Sequence, residues 1–226
     1  MPGKIFQHFL NQSRESRSLR SRDKAFVLLA STIKSLVAVK RKVYVIPGFG
    51  DSPSGKSYIN VRKCFENAGV QCKVVSIRWK YNSVFDYVDQ FMITYRPRKN
   101  SEVYIFGFSF GALIALMVST YINPTKLYLC SLSPFFQEDI KKNGAKDFVS
   151  LGKRRGKVLR TIPFSRIART IKCPTIVVVG ECELPSVIRR ARLAAKEIKR
   201  SRLHIASNAG HNLLDEGYDT VLRRIV

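Results

Sequence analysis

A chain of 226 residues with 40 Lys and Arg against 16 Asp and Glu carries a formal charge of +24, so its surface attracts anions such as nucleic acid, anionic lipid or acidic metabolites. A proteome-wide preference for lysine and arginine accounts for that charge as well as an anionic partner does. A composition that is 45% hydrophobic and 25% charged excludes a disordered or fibrous chain, and the length supplies one full-sized core without requiring two.

Residues 1–41 read as a basic N-terminal arm and a helix. Asn11–Arg22 (NQSRESRSLRSR) is rich in Ser and Arg and poor in acids, the composition of a flexible basic arm and also of an organelle transit peptide; Met1–Leu10 lacks the apolar segment of a secretory signal. Ala25–Val39 is apolar but interrupted by Lys34, and it falls short of the ~20 residues that span a bilayer. It reads as a packed or interfacial helix.

From Lys42 to Val226 short β-rich runs alternate with helical patterns, the signature of a parallel sheet covered on both faces. The expected strands are Val43–Ile46, Cys72–Ile77, Val103–Phe106, Leu127–Leu132, Thr175–Val179 and Leu203–Ala206. Most are continuously apolar, as buried parallel strands are. Between them the helical runs are Ser57–Ala68, stopped by Gly69; Val84–Tyr95, stopped before Pro97; and Phe110–Tyr121, stopped before Pro124. The last is apolar on nearly every side and should be central. Pro185–Arg200 is amphipathic, with Val187, Ile188, Ala191, Ala194, Ala195 and Ile198 on one face and most of its basic residues on the other, as for an outer helix. Pro134–Lys172 is too long for a simple crossover and carries Lys153, Arg154, Arg155, Lys157 and Arg160; it reads as a short basic helical insertion or lid.

The five cysteines, Cys64, Cys72, Cys130, Cys173 and Cys182, are odd in number and show no C-x-x-C spacing, which suits reduced thiols in a cytosol-like compartment and a cytoplasmic location. The three histidines, His8, His204 and His211, do not stand at metal-ligand spacing. Neither a metal nor a cofactor is expected.

The pentapeptide Gly107-Phe108-Ser109-Phe110-Gly111 follows a strand and opens the apolar helix, the context of a nucleophile elbow. A serine hydroxyl needs a base to take its proton, and the base needs an orienting carboxylate. His211, in Asn208-Ala209-Gly210-His211-Asn212-Leu213 just past the last strand, is the candidate base. His204 lies inside a strand between Leu203 and Ile205 and reads as a core residue, and His8 lies in the arm. The acid should fall between serine and histidine in the chain. Val179-Gly180-Glu181-Cys182-Glu183-Leu184-Pro185 offers two: Glu183 is preferred because the chain has room to turn after Gly180, Glu181 is the alternative, and Asp139 is third. An oxyanion hole needs backbone N–H donors. Phe110 N–H, next after the serine, is one candidate, and Phe49 N–H, in Pro47-Gly48-Phe49-Gly50-Asp51-Ser52, is the other. Gly48, Phe49, Phe108 and Phe110 would line the substrate site.

Over residues 42–226 the chain resembles the α/β-hydrolase superfamily, through a strand followed by PGFG, a strand followed by GFSFG and a helix, CPTIVVVGECE and SNAGHNL, in that order. The resemblance implies a three-layer α/β fold with a mainly parallel sheet of about six strands. It also implies a nucleophile at Ser109, a general base and acid at His211, an orienting acid at Glu183, and oxyanion donors at Phe49 and Phe110. The chain departs from the family in having Pro47-Gly48 where many members have His-Gly, Glu183 where many have Asp, and no sign of the usual first two antiparallel strands.

The same region contains a rival motif. Gly50-Asp51-Ser52-Pro53-Ser54-Gly55-Lys56-Ser57 satisfies G-x-x-x-x-G-K-S after a strand and before a helix. A phosphate-cradling loop would use Lys56 on the phosphates and Ser57 on magnesium, but Pro53 lacks an N–H and no strand ends in the carboxylate that such a site needs. The leading expectation is therefore a serine hydrolase acting on a small-molecule carboxylic ester or related acyl bond. The alternatives are a non-catalytic protein of that fold binding nucleic acid or anionic membrane, and nucleotide binding through Gly50–Ser57. Oligomeric state is not legible.

Overall fold

The strand-forming runs pair in one sheet in which every strand is parallel to its neighbours. In the computed structural model, which describes residues 40–80, 82–143 and 152–226, the elements begin with β1 (Arg41–Ile46), α1 (Lys56–Asn67), β2 (Gln71–Val74), α2 (Val84–Thr94), β3 (Glu102–Phe108), α3 (Phe110–Ile122) and β4 (Lys126–Cys130). They continue with α4 (Gln137–Asn143), α5 (Lys153–Leu159), α6 (Phe164–Thr170), β5 (Thr175–Gly180), α7 (Pro185–Glu197), β6 (Ser201–Ala206) and α8 (Glu216–Ile225). The strand order is β2-β1-β3-β4-β5-β6, so the expected six-stranded α/β architecture is present. The basic arm, the Ala25–Val39 helix and His8 lie outside the described residues.

Alternate side chains of each strand feed two cores. Tyr44, Ile46, Ile105, Leu127, Leu129, Val177 and Val179 face a layer made by α2, α3, α6 and α7. Val43, Val45, Phe106, Phe108, Tyr128, Cys130 and Val178 face α1 and α8. Both faces of the central strands are therefore dry, which explains their continuous apolarity. The all-apolar pattern of α3 also finds its reason here, since its residues from Phe110 to Ser119 are all buried.

Chain order reverses across the sheet between β1 and β3. After β1 the chain crosses to β2 at the edge, then returns to place β3 on the other side of β1, with Val45 beside Phe106 and Ile46 beside Gly107. The loops leaving β1 and β3 thus diverge to opposite faces and open a crevice at the carboxyl edge, where open α/β sheets place their ligands.

Strand and helix limits differ from expectation where local geometry intervenes. The β2 ladder stops at Val74 instead of Ile77. β4 stops at Cys130 instead of Leu132 because Ser131 adopts a φ of 50°, which ends the extended run. β6 starts two residues early, and as an edge strand it leaves His204 half-buried with Nδ1 3.3 Å from Arg224, correcting its reading as a core histidine. The thiols also divide: Cys130 and Cys173 are buried, Cys64 and Cys72 half-buried, and Cys182 exposed.

The described residues of the segment 134–172 include α4, α5 and α6. Glu138 caps α6 by accepting N–H bonds from Phe164 (2.9 Å) and Ser165 (3.1 Å). Asp139, the third candidate acid, is instead committed to a buried ion pair with Arg190 of α7. Arg190 lies over the rings of Phe164 (4.1 Å) and Phe136 (5.1 Å), so one arginine of the expected solvent-facing set is interior. Its charge is admissible there because Asp139 neutralises it.

Candidate active site

The chain turns from β3 into α3 within one residue. Ser109 sits at that turn with φ 55° and ψ −119°, a conformation costing on the order of 1–3 kcal/mol for a residue with a side chain. The surrounding backbone explains the flanking glycines. A Cβ on Gly107 would stand 2.3 Å from the Gly111 carbonyl oxygen, and one on Gly111 would stand 2.2 Å from that of Ile46 and 2.3 Å from that of Pro47. The turn is fixed by Ser109 N–H donating to Cys130 O (2.9 Å) and Ala112 N–H donating to Ser109 O (3.0 Å). The result lifts the serine hydroxyl out of the sheet edge into the crevice.

Ser109 Oγ meets His211 Nε2 at 2.8 Å, and His211 Nδ1 meets Glu183 Oε2 at 2.7 Å. A carboxylate can only accept, so Nδ1 carries a proton and donates it to Glu183. Nε2 of the neutral ring is then free to accept the serine proton. The Glu183 side chain is fully buried, whereas that of His211 is 44% exposed. The loop bearing His211 is tied down on both sides: Gly210 N–H donates to Asp215 (2.7 Å), and Cys182 N–H donates to Ala209 O (2.8 Å). Phe108 lies under the imidazole with ring centroids 5.1 Å apart.

Glu181 does different work. It is exposed and accepts the N–H of Asn208 at 3.0 Å, bracing the histidine loop without touching the histidine ring.

The loop after β1 is organised by Tyr58 of α1. Its hydroxyl accepts the Gly48 N–H (2.7 Å) and donates to Asp51 Oδ2 (2.6 Å), while Asp51 N–H donates to Gly48 O (3.1 Å). Burial and the Asp51 carboxylate push the Tyr58 phenol well above its ordinary range, so it remains a donor. With the Gly48 N–H occupied, Phe49 offers the next N–H of the loop, and Phe110, first in its helix, has no carbonyl one turn back to receive its own. Neither N–H meets an acceptor among the described residues.

The expected substrate-lining set divides. Phe108 and Phe110 are buried in opposite cores, and the Gly48 N–H is taken by Tyr58; only Phe49, 38% exposed, presents a surface. Its ring packs on Trp79 (5.4 Å) and Phe110 (5.7 Å), and Phe110 in turn packs on Phe135 (6.0 Å). From the insertion, Arg155 lies over Phe49 at 4.8 Å and donates to the Tyr87 hydroxyl (2.6 Å).

The Walker-like segment spends its donors internally. Ser54 N–H bonds Ser52 Oγ (3.3 Å), Gly55 N–H bonds Ser52 O (3.0 Å), and Asp51 N–H is used as above. Pro53 has none, so positions 51, 53, 54 and 55 have no free N–H to offer a phosphate. Among the described residues no cluster of three or more His, Cys, Asp or Glu is placed to hold a metal ion, and no helix is long and apolar enough to cross a membrane.

Residues that sequence reasoning missed complete the surroundings. Ser133 Oγ lies 3.4 Å from Ser109 Oγ, and the Tyr218 hydroxyl donates to Glu183 Oε1 at 2.8 Å. Asp215 also falls in this group. Tyr218 had a visible but misleading signal: with Val221, Leu222 and Ile225 it forms the apolar stripe of α8 and so reads as core packing.

No protein-family model and no curated protein matches the chain. Solved structures do. Est1E from Butyrivibrio proteoclasticus aligns with a TM-score of 0.71 at 16% identity over 84% of this chain and 87% of its own, and Est1E with ferulic acid bound aligns with a TM-score of 0.70 at 14% identity over 82% and 86%. MGS-MChE2, an α/β-hydrolase enzyme from the metagenome of sediments of the lagoon of Mar Chica, Morocco, gives 0.63 at 16% identity over 82% and 90%. The esterase Pf2001 of Pyrococcus furiosus gives 0.60 at 16% identity over 83% and 82%. The sheet, the elbow and these likenesses together establish that the chain has the α/β-hydrolase fold.

Proposed function

We propose that the chain is a serine hydrolase that cleaves carboxylic esters through an acyl-enzyme. The observation that carries this reading is the continuous hydrogen-bonded line Ser109 Oγ, His211 Nε2, His211 Nδ1, Glu183 Oε2, with contacts of 2.8 and 2.7 Å. Names of the similar structures, which include an esterase and an α/β-hydrolase enzyme, agree with it.

In the proposed reaction the Ser109 oxygen attacks the ester carbonyl carbon while its proton moves to His211 Nε2. Glu183 stabilises the imidazolium that forms and keeps the ring oriented. Negative charge on the former carbonyl oxygen is met by the N–H groups of Phe110 and Phe49. Collapse expels the alcohol, protonated by His211. Water, deprotonated by the same nitrogen, then releases the acid and restores the serine. Phe49, Trp79 and Phe135 offer an apolar wall for the acyl or alcohol part, and the small-molecule ester is the substrate class.

Hydrolysis of a p-nitrophenyl ester tests the assignment. Ser109→Ala is expected to lower kcat by about a million-fold, with loss of His211 costing nearly as much. Glu183→Gln is expected to cost about ten-thousand-fold, and Glu181→Gln less than about tenfold, since only the former holds the ring. Turnover that survives Ser109→Ala in folded protein contradicts the proposal.

A further inference from the structure

We infer that Tyr218 is a positioning residue for the triad acid, an inference that rests on the hydrolase reading above: its hydroxyl, buried beneath the crevice, clamps the Glu183 carboxylate so that Oε2 stays on His211. Glu183 lies in a loop, and nothing in its own backbone fixes the rotation of a three-carbon side chain. Its carboxyl group is out of water, so both oxygens need donors. Oε2 has His211 (2.7 Å), and Oε1 has Tyr218 (2.8 Å).

The direction of each bond follows from counting protons. Gly180 N–H, 2.9 Å away, can only donate to the Tyr218 oxygen, and the Glu183 carboxylate can only accept. The single phenolic proton therefore points at Glu183. The remaining neighbour, the Ser131 hydroxyl, must in turn donate to the Tyr218 oxygen. That hydroxyl oxygen thus receives two protons and passes one on, and the arrangement joins the carboxyl ends of β4 and β5 to the acid. Ser131, at the positive φ that ends β4, is aimed at the same point. Burial raises the Tyr218 phenol far above its ordinary range, so it keeps its donor proton throughout the working pH range.

Titratable groups facing Glu183 are His211 from the loop after β6, Tyr218 from α8 and the thiol of Cys130 from β4, which burial holds neutral. Removing the phenolic donor leaves Oε1 dry and unpaired, so the carboxylate turns to find another donor and Oε2 no longer holds its place on His211.

The test is Tyr218→Phe, which keeps the ring in its site. We expect kcat to fall about 10–100-fold with KM within about twofold. Ser131→Ala, which spares the Tyr218 to Glu183 bond, is expected to cost less than about threefold. A readout without substrate is the low-field proton resonance of His211 Nδ1–H, expected to shift or disappear in Tyr218→Phe. Lower thermal stability with unchanged kcat and resonance overturns the inference. Should wild-type protein turn over no ester, the hydrolase reading fails while the resonance alone still decides the role of Tyr218: an unchanged resonance rejects it and a lost one upholds it. If Tyr218→Phe does not fold, a ring-fluorinated tyrosine placed at 218, a stronger donor of nearly the same shape, is expected to shift the His211 resonance, and an unshifted resonance counts against the inference.

Discussion

Two glycine-bearing turns leave the sheet at its switch point, and they are built on opposite principles. The turn after β3 is closed by backbone against backbone: the space beside Gly107 and Gly111 is filled by carbonyl groups of Gly111, Ile46 and Pro47. The turn after β1 is open. Nothing lies within 4 Å of a Cβ placed on Gly50, and the loop is shaped by one side chain, Tyr58, bridging Gly48 and Asp51. The first turn must hold one strained serine, so rigid main chain is suited to it. In the proposed reaction the second holds the Phe49 N–H, for which a hydrogen-bonded brace suffices.

The contrast is broken most directly by adding a methyl group. Gly111→Ala is expected to cost about 4 kcal/mol or more, or to prevent folding, because no side chain can yield to relieve the clash. Gly50→Ala should cost only about 1 kcal/mol, the penalty of a positive φ without steric conflict. Urea denaturation measures both, and equal losses would erase the distinction.

Removing the brace is the next largest effect. Tyr58→Phe leaves the Gly48 N–H and Asp51 without a shared partner and is expected to cost about 2 kcal/mol, with a roughly tenfold loss of kcat from a less well-aimed Phe49 N–H. A loss of stability with no loss of kcat would detach the loop from the chemistry.

Alkaline titration probes the brace of the β1 turn through the Tyr58 phenol. Burial raises the phenols of Tyr58 and Tyr218 above their ordinary value, so the folded state retains protons that the unfolded state gives up above about pH 10. Their contribution is whole below that pH and is lost as pH rises, by about 1 kcal/mol per tyrosine per pH unit. Denaturation midpoints at pH 9 and pH 11 should show the decline, with a shallower slope in Tyr58→Phe.

The smallest effect is expected at Lys56. It begins α1 and is exposed, so Lys56→Ala should change turnover by less than about twofold and abolish no magnesium-dependent nucleotide affinity. Nucleotide binding that depends on Lys56 would revive the phosphate-loop reading of this segment.

Much of this was legible from residues alone, for identifiable reasons. Buried parallel strands need continuous apolar runs, so the six strands were recognisable, with errors at the ends of β2 and β4. The order serine, acid, histidine located the three loops. Choosing Glu183 over Glu181 depended on room to turn after Gly180, and the geometry puts Glu183 on the ring and Glu181 on the loop backbone. The roles of Tyr218 and Arg190 were not legible, for complementary reasons. A tyrosine on an apolar stripe hides its hydroxyl, and an arginine on a basic helix hides its burial, because side-chain partners such as Glu183 and Asp139 are set by tertiary packing rather than by spacing.

The central claim is that the strained serine of the closed turn is a nucleophile activated by His211. Incubation of folded protein with a fluorophosphonate, followed by peptide mass spectrometry, tests it most directly. The account predicts one adduct, on Ser109, formed far more slowly after loss of His211 and absent in Ser109→Ala. Failure of folded wild-type protein to label, or labelling that persists at another residue in Ser109→Ala, would contradict it.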